Sequence, residues 1–152
     1  MITYKSFWGL PEQEVVDGIL KLHENVFEES ATLVDKIKSK PKVLMNIAFD
    51  QSKVVGYKIG YELEAHKYYS WYGAVHEAYR GQGIASGLMK QQHCLVGQAG
   101  YTIVQTKTRN KWRSMLILNI KNGFDVIEVF TDDAGIHRIV LEKSMPKGTD
   151  TV

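Results

Sequence analysis

An arginine and two glycines in the segment Tyr79–Ala85 have the types and spacing that suit the binding of an anion. The segment follows a predicted strand, Tyr68–Val75, and opens a predicted helix. A loop in this position gathers unpaired backbone N–H groups at the positive end of the helix dipole. Gly81 and Gly83 carry no side chain that would keep a phosphate away, and Arg80 adds a positive charge. The segment therefore predicts an anion site, for which pyrophosphate is the natural ligand.

Two common phosphate-binding motifs fit this segment poorly. A P-loop ends in Gly-Lys-Ser/Thr, whereas Gly83 is followed by Ile84. A dinucleotide-binding fingerprint needs a third glycine three residues after the second, and that position holds Ser86. A nucleotide-hydrolysing P-loop and a Rossmann domain are therefore both disfavoured.

The remaining chain predicts strands and helices that position this loop. Hydrophobic periodicity predicts four helices. The first begins at Pro11, Ser30 caps the second, the third follows Gly83, and the fourth carries Trp112 and Ile120. Alternating and β-branched runs predict the strands Ile2–Phe7, Val43–Phe49, Val54–Glu64, Tyr68–Val75, Tyr101–Thr108, Phe124–Thr131 and Ile136–Lys143. Strand, helix and strand around the loop form a βαβ unit, so its two strands should be parallel. We predict one domain over residues 1–145 and a loose tail over 146–152.

The loop and its surroundings resemble the GNAT superfamily of acyl-CoA-dependent N-acyltransferases. Arg80, Gly83 and Ala85 match the signature Gln/Arg-x-x-Gly-x-Gly/Ala, and Val75 ends the preceding strand as in that family. Asn122–Gly123–Phe124 matches the Gly-Phe that follows the last helix, and the element order agrees over Ile2–Lys143. The resemblance implies an α/β (α+β) fold, with a mixed, splayed β-sheet flanked by helices and a central βαβ unit that binds acyl-CoA.

The resemblance also implies acetyl-CoA as co-substrate. Its pyrophosphate would lie beside Arg80 on the N–H groups of Gly81, Gln82, Gly83, Ile84, Ala85 and Ser86. Its pantetheine arm would run beside Ala74 and Val75, where the two parallel strands of such proteins part after a bulge. Gly73 is the predicted bulge, although a packing site for a small residue also explains it. Asn110 either contacts the pantetheine or only turns the chain into the next helix.

The position from which many members of that family protonate the departing sulfur with a tyrosine holds Asn119. An asparagine has no acidic proton to give, but its amide can donate a hydrogen bond to the sulfur. The alternative is a local role near the end of its helix. We therefore expect Asn119 to contact the leaving group without acting as an acid.

Several other residues are candidates for handling the amine. His76 and Glu77 follow the strand that ends at Val75 and are base candidates, with solvated loop residues as the alternative. Glu62, with Glu64 on the same face, could offer negative charge to a cationic amine, or simply be exposed. Tyr72 belongs to an aromatic run that could line an acceptor pocket, although half of such a run must face the core.

Charge and cysteine content exclude other classes. Lys and Arg number 19 against 17 Asp and Glu, and a net charge of +2 gives no footprint for nucleic acid. Cys94 is the one cysteine, which excludes a disulfide or a multi-cysteine metal site and fits a cytoplasmic protein. We expect Cys94 to be a packing residue. No apolar run predicts membrane insertion, and no metal is expected.

These observations together predict an N-acetyltransferase that transfers acetyl from acetyl-CoA to a primary amine by direct attack. The acceptor is a small-molecule or peptide amine, and the protein is a monomer or a homodimer. One rival is a non-catalytic acyl-CoA sensor with the same fold. A second is a protein-interaction module in which the glycine loop is only a tight turn.

Overall fold

Seven strands of this chain form a single sheet in a computed structural model that describes residues 1–145. The predicted tail over 146–152 lies outside the described residues. The strands are β1 Ile2–Trp8, β2 Leu44–Asp50, β3 Lys53–Glu64, β4 Lys67–Val75, β5 Ile103–Arg109, β6 Asp125–Thr131 and β7 His137–Ser144. The helices are α1 Gln13–Phe27, α2 Leu33–Lys38, α3 Ile84–Gln98 and α4 Arg113–Lys121, and a 3-10 turn spans Glu77–Tyr79.

The strand order is β1-β2-β3-β4-β5-β7-β6, and only the β4–β5 pair is parallel. The parallel pair is joined through α3, as a βαβ unit requires. The predicted fold class is therefore confirmed, with a mixed, splayed sheet flanked by helices.

Apolar side chains alternate between the two faces of the sheet, and each face is covered by its own helices. The α1 face packs under α1 and α2, with a core that includes Ile19, Leu33, Ile47 and Ile59. The α3 face packs under α3 and α4, with Tyr68, Met89, Val104, Phe124 and Leu141 in its core. A site that opens within the sheet can therefore be reached from two chemically separate sides.

The parallel pair β4–β5 stops early and leaves a gap in the sheet. Pairing runs only from Lys67 with Ile103 to Ser70 with Thr106. The hydroxyl of Thr106 donates a hydrogen bond to the carbonyl of Ser70 at 3.0 Å, which fixes the point where the strands part. Beyond it, Tyr72–Val75 keep their pairing with β3, and Trp71–Val75 have no partner strand on the β5 side.

The bulge that accompanies this gap lies at Trp71 and not at Gly73. Ile59 pairs with Tyr72 and Gly60 pairs with Ser70, so Trp71 is the extra residue of β4. Gly73 pairs regularly with Lys58. The prediction of a bulge at Gly73 was wrong because the register between β3 and β4 decides which residue is left over.

Two element boundaries also differ from the sequence prediction. Ser30 does not cap α2, because the carboxylate of Glu29 accepts hydrogen bonds from the N–H and hydroxyl of Thr32 at 3.0 and 3.1 Å. Tyr101 precedes β5, and its ring is buried against Tyr68. Local propensity predicted both elements correctly but not the residues at which they begin.

We predict that Gly60→Ala lowers the free energy of unfolding by about 1–3 kcal/mol. A Cβ there would lie 2.5 Å from Cε2 of Tyr68 and 2.7 Å from the carbonyl oxygen of Tyr69, so backbone must shift. Gly97→Ala is the matched control, because its Cβ would meet only Met145 at 3.8 Å inside a helix, where alanine is favoured. Urea unfolding of both variants measures the effect, and equal stability for the two would contradict the packing described here.

Candidate functional site

The loop before α3 exposes six consecutive backbone N–H groups. Gly81 and Gly83 have φ angles of +79° and +80°, and a Cβ at either would meet no atom within 4 Å. Gly83 is the N-cap of α3, and the first backbone hydrogen bond to it comes from Gly87 at 3.0 Å. Within the described part of the chain, the N–H groups from Gly81 to Ser86 find no backbone or side-chain acceptor. The loop is thus an open cradle of donors at the positive end of a helix.

The side chains around this cradle leave it accessible. Arg80 is exposed, and its Nε donates to the carbonyl of Val75 at 3.3 Å, so the guanidinium stays beside the cradle. Gln82 is exposed, whereas Ala85 and Ser86 are half-buried. Ile84 alone is buried, on the α3 face. One buried side chain therefore anchors the helix end while its donors face outward.

The cradle stands at the open end of the gap between β4 and β5. Ala74 and Val75 form the end of β4, with side chains on the α1 and α3 faces respectively, so that the backbone edge faces the gap. Asn110 follows the last residue of β5 and is exposed. Because β4 and β5 are parallel, their carboxyl ends lie at the same edge of the sheet, and these residues flank one opening. The structure brings together the loop, Ala74, Val75 and Asn110 as the sequence predicts.

His76 has a contact that explains it without catalysis. Its Nδ1 accepts a hydrogen bond from the N–H of Ala78 at 3.1 Å, and its ring stands edge-on to Tyr79. Tyr79 in turn donates to the carboxylate of Asp50 at 2.6 Å. Glu77 is exposed in the same turn. These contacts favour the loop alternative for both base candidates.

Glu62 lies away from the cradle. It pairs with Tyr68, seven residues before the end of β4, which corresponds to roughly 20 Å along the strand. Its carboxylate accepts a hydrogen bond from the hydroxyl of Tyr101 at 2.8 Å and lies 3.5 Å from the ammonium of Lys42. Glu62 was predicted to offer negative charge to a cationic amine or simply to be exposed; Tyr101 and Lys42 contact its carboxylate, and the role toward an amine stays a prediction.

Tyr72 lies in an aromatic cluster on the α1 face beside the gap. Its ring centroid is 5.0 Å from that of His23 and 5.6 Å from that of Phe27, and Phe27 contacts Trp112 at 5.8 Å. Trp112 precedes α4, so the cluster joins elements from both sides of the gap. It offers a half-buried, largely apolar approach to the parted strands.

His23 is a member of this cluster that sequence reasoning missed. It shares a hydrogen bond with the hydroxyl of Tyr57, and both residues are buried. Burial lowers the pKa of His23, with a smaller opposing effect from Glu29, and burial raises the pKa of Tyr57. The helical spacing of His23 with apolar residues was visible, but its partner on β3 was not.

Asn119 is buried on the inner side of α4. The local role considered for it belongs to Asn122, whose side-chain amide donates to the carbonyl of Leu118 at 2.8 Å. The backbone carbonyl of Asn119 accepts from the N–H of Phe124 at 3.0 Å. A different residue thus fills the local role at the end of α4, and contact of the Asn119 amide with the leaving group stays a prediction.

Lys58 is a second residue that sequence reasoning missed. It is 8% exposed, on the α3 face of β3, and makes no ion pair with any described residue. Burial lowers the pKa of Lys58 to about 8. A Cβ on Gly73 would lie 3.7 Å from its Cγ and 3.9 Å from its Nζ, so the side chain lies over Gly73 on the α3 face. The signal in the sequence was one lysine in the otherwise apolar run Val54–Gly60.

Gln92 and His93 on α3 add further buried polar groups. Both amide atoms of Gln92 and Nε2 of His93 are buried without a partner among residues 1–145. Burial, with the charges of Lys143 and Lys58, lowers the pKa of His93 to about 3. His93 is therefore neutral near pH 7, and its Nδ1 lies 3.4 Å from the ammonium of Lys143.

Cys94, also on α3, differs from its predicted role. Its side chain is exposed and lies 3.6 Å from Nε2 of Gln98. The prediction that Cys94 is a packing residue was wrong, because it stands on the outer side of the helix whose neighbours Gln92 and His93 face inward.

The described residues hold neither a cluster of metal-ligating side chains nor a helix that could span a membrane. Within the described part of the chain, no three His, Cys, Asp or Glu side chains are grouped so as to hold a metal ion. Among residues 1–145, none of the helices combines the length and apolar character that crossing a bilayer demands.

Comparison with known proteins relates this site to others. The family described as "Acetyltransferase (GNAT) domain" matches residues 41–126, which include β2 to β5, the cradle and α4. No curated protein sequence matches the chain.

Several solved structures have the same fold. Ard1 from Thermoplasma volcanium superposes with a TM-score of 0.82 at 16% identity, covering 95% of this chain and 98% of its own. An aminoglycoside 6′-N-acetyltransferase complexed with coenzyme A superposes with a TM-score of 0.80 at 13% identity, with coverages of 95% and 98%. A GNAT family acetyltransferase from Elizabethkingia anophelis with acetyl-CoA bound gives 0.71 at 19% identity, with coverages of 95% and 98%.

We predict that Lys58→Met raises the free energy of unfolding at pH 7 by up to about 3 kcal/mol. The pKa of Lys58 is about 8 in the folded chain against 10.5 for an unperturbed lysine, so the unfolded chain holds more protons between these values. The cost of burying the ammonium is thus complete below pH 8 and declines as pH rises toward 10. In denaturant unfolding, the free energy of unfolding of Lys58→Met should exceed that of the wild type by a large amount at pH 7 and by a small amount at pH 10.

Lys90→Met is the matched control for this measurement, because Lys90 is exposed on α3. It should leave stability unchanged at both pH values. An advantage for Lys58→Met that is independent of pH would contradict a buried, titrating ammonium.

Proposed function

Because the chain belongs to the GNAT acetyltransferase family, we propose that it transfers an acetyl group from acetyl-CoA to a primary amine. Acetyl transfer is the activity for which the family is described. The observation that carries the proposal is the cradle of six free N–H groups at the open end of the gap between β4 and β5.

The site fits acetyl-CoA as co-substrate. The open side of Gly81 and Gly83 gives a diphosphate room to reach the N–H groups, and Arg80 adds charge. The free edge of β4 from Trp71 to Val75 offers backbone donors and acceptors to the amides of a pantetheine arm. When bound, the co-substrate supplies a thioester whose acyl carbon is open to attack by an amine.

The aromatic cluster on the α1 face favours a cationic amine as acceptor. The ammonium of Lys40 lies 4.8 Å from the ring centre of Tyr61 and 5.5 Å from that of Trp71, and the ammonium of Lys111 lies 5.0 Å from that of Trp112. Rings in this region thus attract ammonium groups of the chain itself, as an acceptor amine would be attracted. Once the bound ammonium has lost a proton to solvent, Tyr72 and its neighbours position the neutral amine for direct attack. A small-molecule amine and a peptide amine both satisfy this chemistry.

A non-catalytic acyl-CoA sensor is the second candidate. The observation that favours it is Asn119, which is buried on α4 and has no acidic proton to give. Such a protein would bind acetyl-CoA in the same cradle without turnover.

We expect coenzyme A at a hundred times its Kd to stabilise the protein by about 2.7 kcal/mol, seen as a rise in Tm of several degrees. Gly83→Glu should abolish this shift, because its carboxylate occupies the anion cradle. Gly135→Glu is the matched control, since Gly135 also has a φ of +80° and open space around it but lies in the β6–β7 turn. Loss of the shift in both variants, or in neither, would contradict binding of the diphosphate at the cradle.

We further expect thiol release from acetyl-CoA to depend on an added amine. The assay uses diamines, amino sugars and peptides with free α- or ε-amino groups, each as a separate pool. Release with one pool, together with an acetylated product in mass spectrometry, supports the transferase. Protection by acetyl-CoA against heating with no release in any pool supports the sensor instead.

A further inference from the structure

A lysine lies on the α3 face of the sheet beside the gap, and no carboxylate among residues 1–145 forms an ion pair with it. Lys58, Asn46 and Ser6 form a cross-strand row on the α3 face that continues to Gly73 on β4. The amide of Asn46 donates a hydrogen bond to the hydroxyl of Ser6 at 2.8 Å, and its Oδ1 has no partner among residues 1–145. The Lys58 side chain does not turn toward this oxygen on β2 but lies over Gly73 on β4. The far edge of β4 at Gly73 is the gap itself. The Lys58 ammonium thus lies on the α3 face against β4, the strand whose other edge faces the gap.

The groups that face Lys58 from the surrounding elements include no carboxylate. From β2 there is the amide of Asn46, and from α3 there is the neutral ring of His93, with the amide of Gln92 over Gly60, two residues along the same face of β3. Lys143 on β7 reaches the same His93 from the other side, and burial also lowers the pKa of Lys143. None of the described carboxylates forms an ion pair with either lysine. A buried cation in such surroundings is stabilised when an anion arrives.

Acetyl transfer creates an anion at this location. When the bond between the acyl carbon and sulfur breaks, the sulfur leaves with an electron pair and needs a proton or a positive charge. Asn46, Gln92 and Asn119 are amides without an acidic proton, and His93 is neutral. Of the groups on the α3 face that surround Lys58, Lys58 itself is the one beside the gap with a proton to donate; Tyr72 lies on the opposite, α1 face.

We propose that Lys58 is the catalytic acid of this protein and donates a proton to the departing sulfur of coenzyme A. The inference rests on the proposed function and assigns a residue to it. The nitrogen of the acceptor bonds to the acyl carbon, the carbon–sulfur bond breaks, and one ammonium proton of Lys58 passes to the sulfur. The proton that the attacking nitrogen loses returns Lys58 to its charged form through solvent. The balance is one amine and one thioester giving one amide and one thiol.

The pKa of Lys58, lowered by burial to about 8, agrees with this role. A thiol has an ordinary pKa of about 8.5, so the proton transfer is nearly balanced in energy. An ordinary exposed lysine would hold its proton too tightly to be an efficient donor near neutral pH.

The decisive experiment measures the thiol pKa of coenzyme A bound to the full chain, by the ultraviolet absorbance of the thiolate. A neighbouring ammonium favours the thiolate, so the bound thiol of the wild type should titrate about 1–3 units below that of Lys58→Met. Lys58→Arg keeps the charge and should retain the low value. Lys90→Met and Lys143→Met are controls that should also retain it, since Lys90 is exposed and Lys143 is separated from the gap by β5.

Turnover gives an independent measure. Lys58→Met should lower kcat by about a hundredfold or more and leave KM for acetyl-CoA unchanged. Wild-type kcat should decline above about pH 8 as Lys58 loses its proton, and this decline should be absent in Lys58→Arg and Lys58→Met. Lys58→Arg should be slow at every pH, because its guanidinium holds charge but does not release a proton.

The outcomes separate this inference from the proposed function. If coenzyme A binds with the same thiol pKa in the wild type and Lys58→Met, the role of Lys58 is overturned and the acetyltransferase proposal stands. If Lys143→Met moves the thiol pKa instead, the assignment is equally overturned. If the wild type prefers succinyl-CoA to acetyl-CoA and Lys58→Met reverses this preference, the ammonium binds the carboxylate of the acyl group instead of the sulfur. That result would also overturn the assignment. Failure of coenzyme A to bind the wild type would defeat the proposed function itself.

Discussion

The early end of the β4–β5 pairing is the constraint on which the rest of this site depends. A parallel pair in the middle of a sheet normally continues for the length of its strands, because every unpaired backbone group inside a protein costs free energy. Here the pairing ends at Ser70 and Thr106, and the extra residue Trp71 follows immediately on β4. The bulge and the last pair coincide, so β4 bends away from β5 while it keeps its hydrogen bonds to β3. The result is a strand with one satisfied edge and one free edge.

The free edge and the helix end are mechanically one unit. α3 begins directly after the loop that leaves β4, and Ile84 and Leu88 pack against Gly56 of β3. A Cβ at Gly56 would lie 3.0 Å from Ile84 and 3.2 Å from Leu88, so glycine lets the first turns of α3 approach the sheet closely. The donors of the helix end are therefore held at the mouth of the gap by a packed interior, and not by the loop alone. Binding at such a site needs little reorganisation.

Features that depend on neighbouring residues in the chain could be predicted, and features that depend on register could not. The order of strands and helices, the βαβ unit and the cradle follow from hydrophobic periodicity and from the glycines between Val75 and Ile84. The bulge was misplaced by two residues, because nothing local distinguishes Gly73 from Trp71 until Gly60 is paired with Ser70. Glu62 was recognised as a carboxylate near the end of its strand, but its contacts with Tyr101 and Lys42 come from distant parts of the chain and could not be predicted. Lys58 in an apolar strand could be a surface residue or a buried one, and only the packing of α3 over β3 decides.

The two faces of the sheet beside the gap carry different kinds of side chain. Aromatic rings of Tyr72, Phe27 and Trp112 dominate the α1 face, whereas amides, an imidazole and the ammonium of Lys58 are buried on the α3 face. Burying polar groups without partners lowers stability, and a sequence selected for stability alone would place apolar side chains at Gln92 and Lys58. Their retention at one side of a parted strand pair is explained if a ligand with its own polar atoms completes them. In the proposed reaction, an acceptor from the aromatic side would attack the thioester while its sulfur departs toward the polar side, so attack and departure would occur on opposite faces of one sheet.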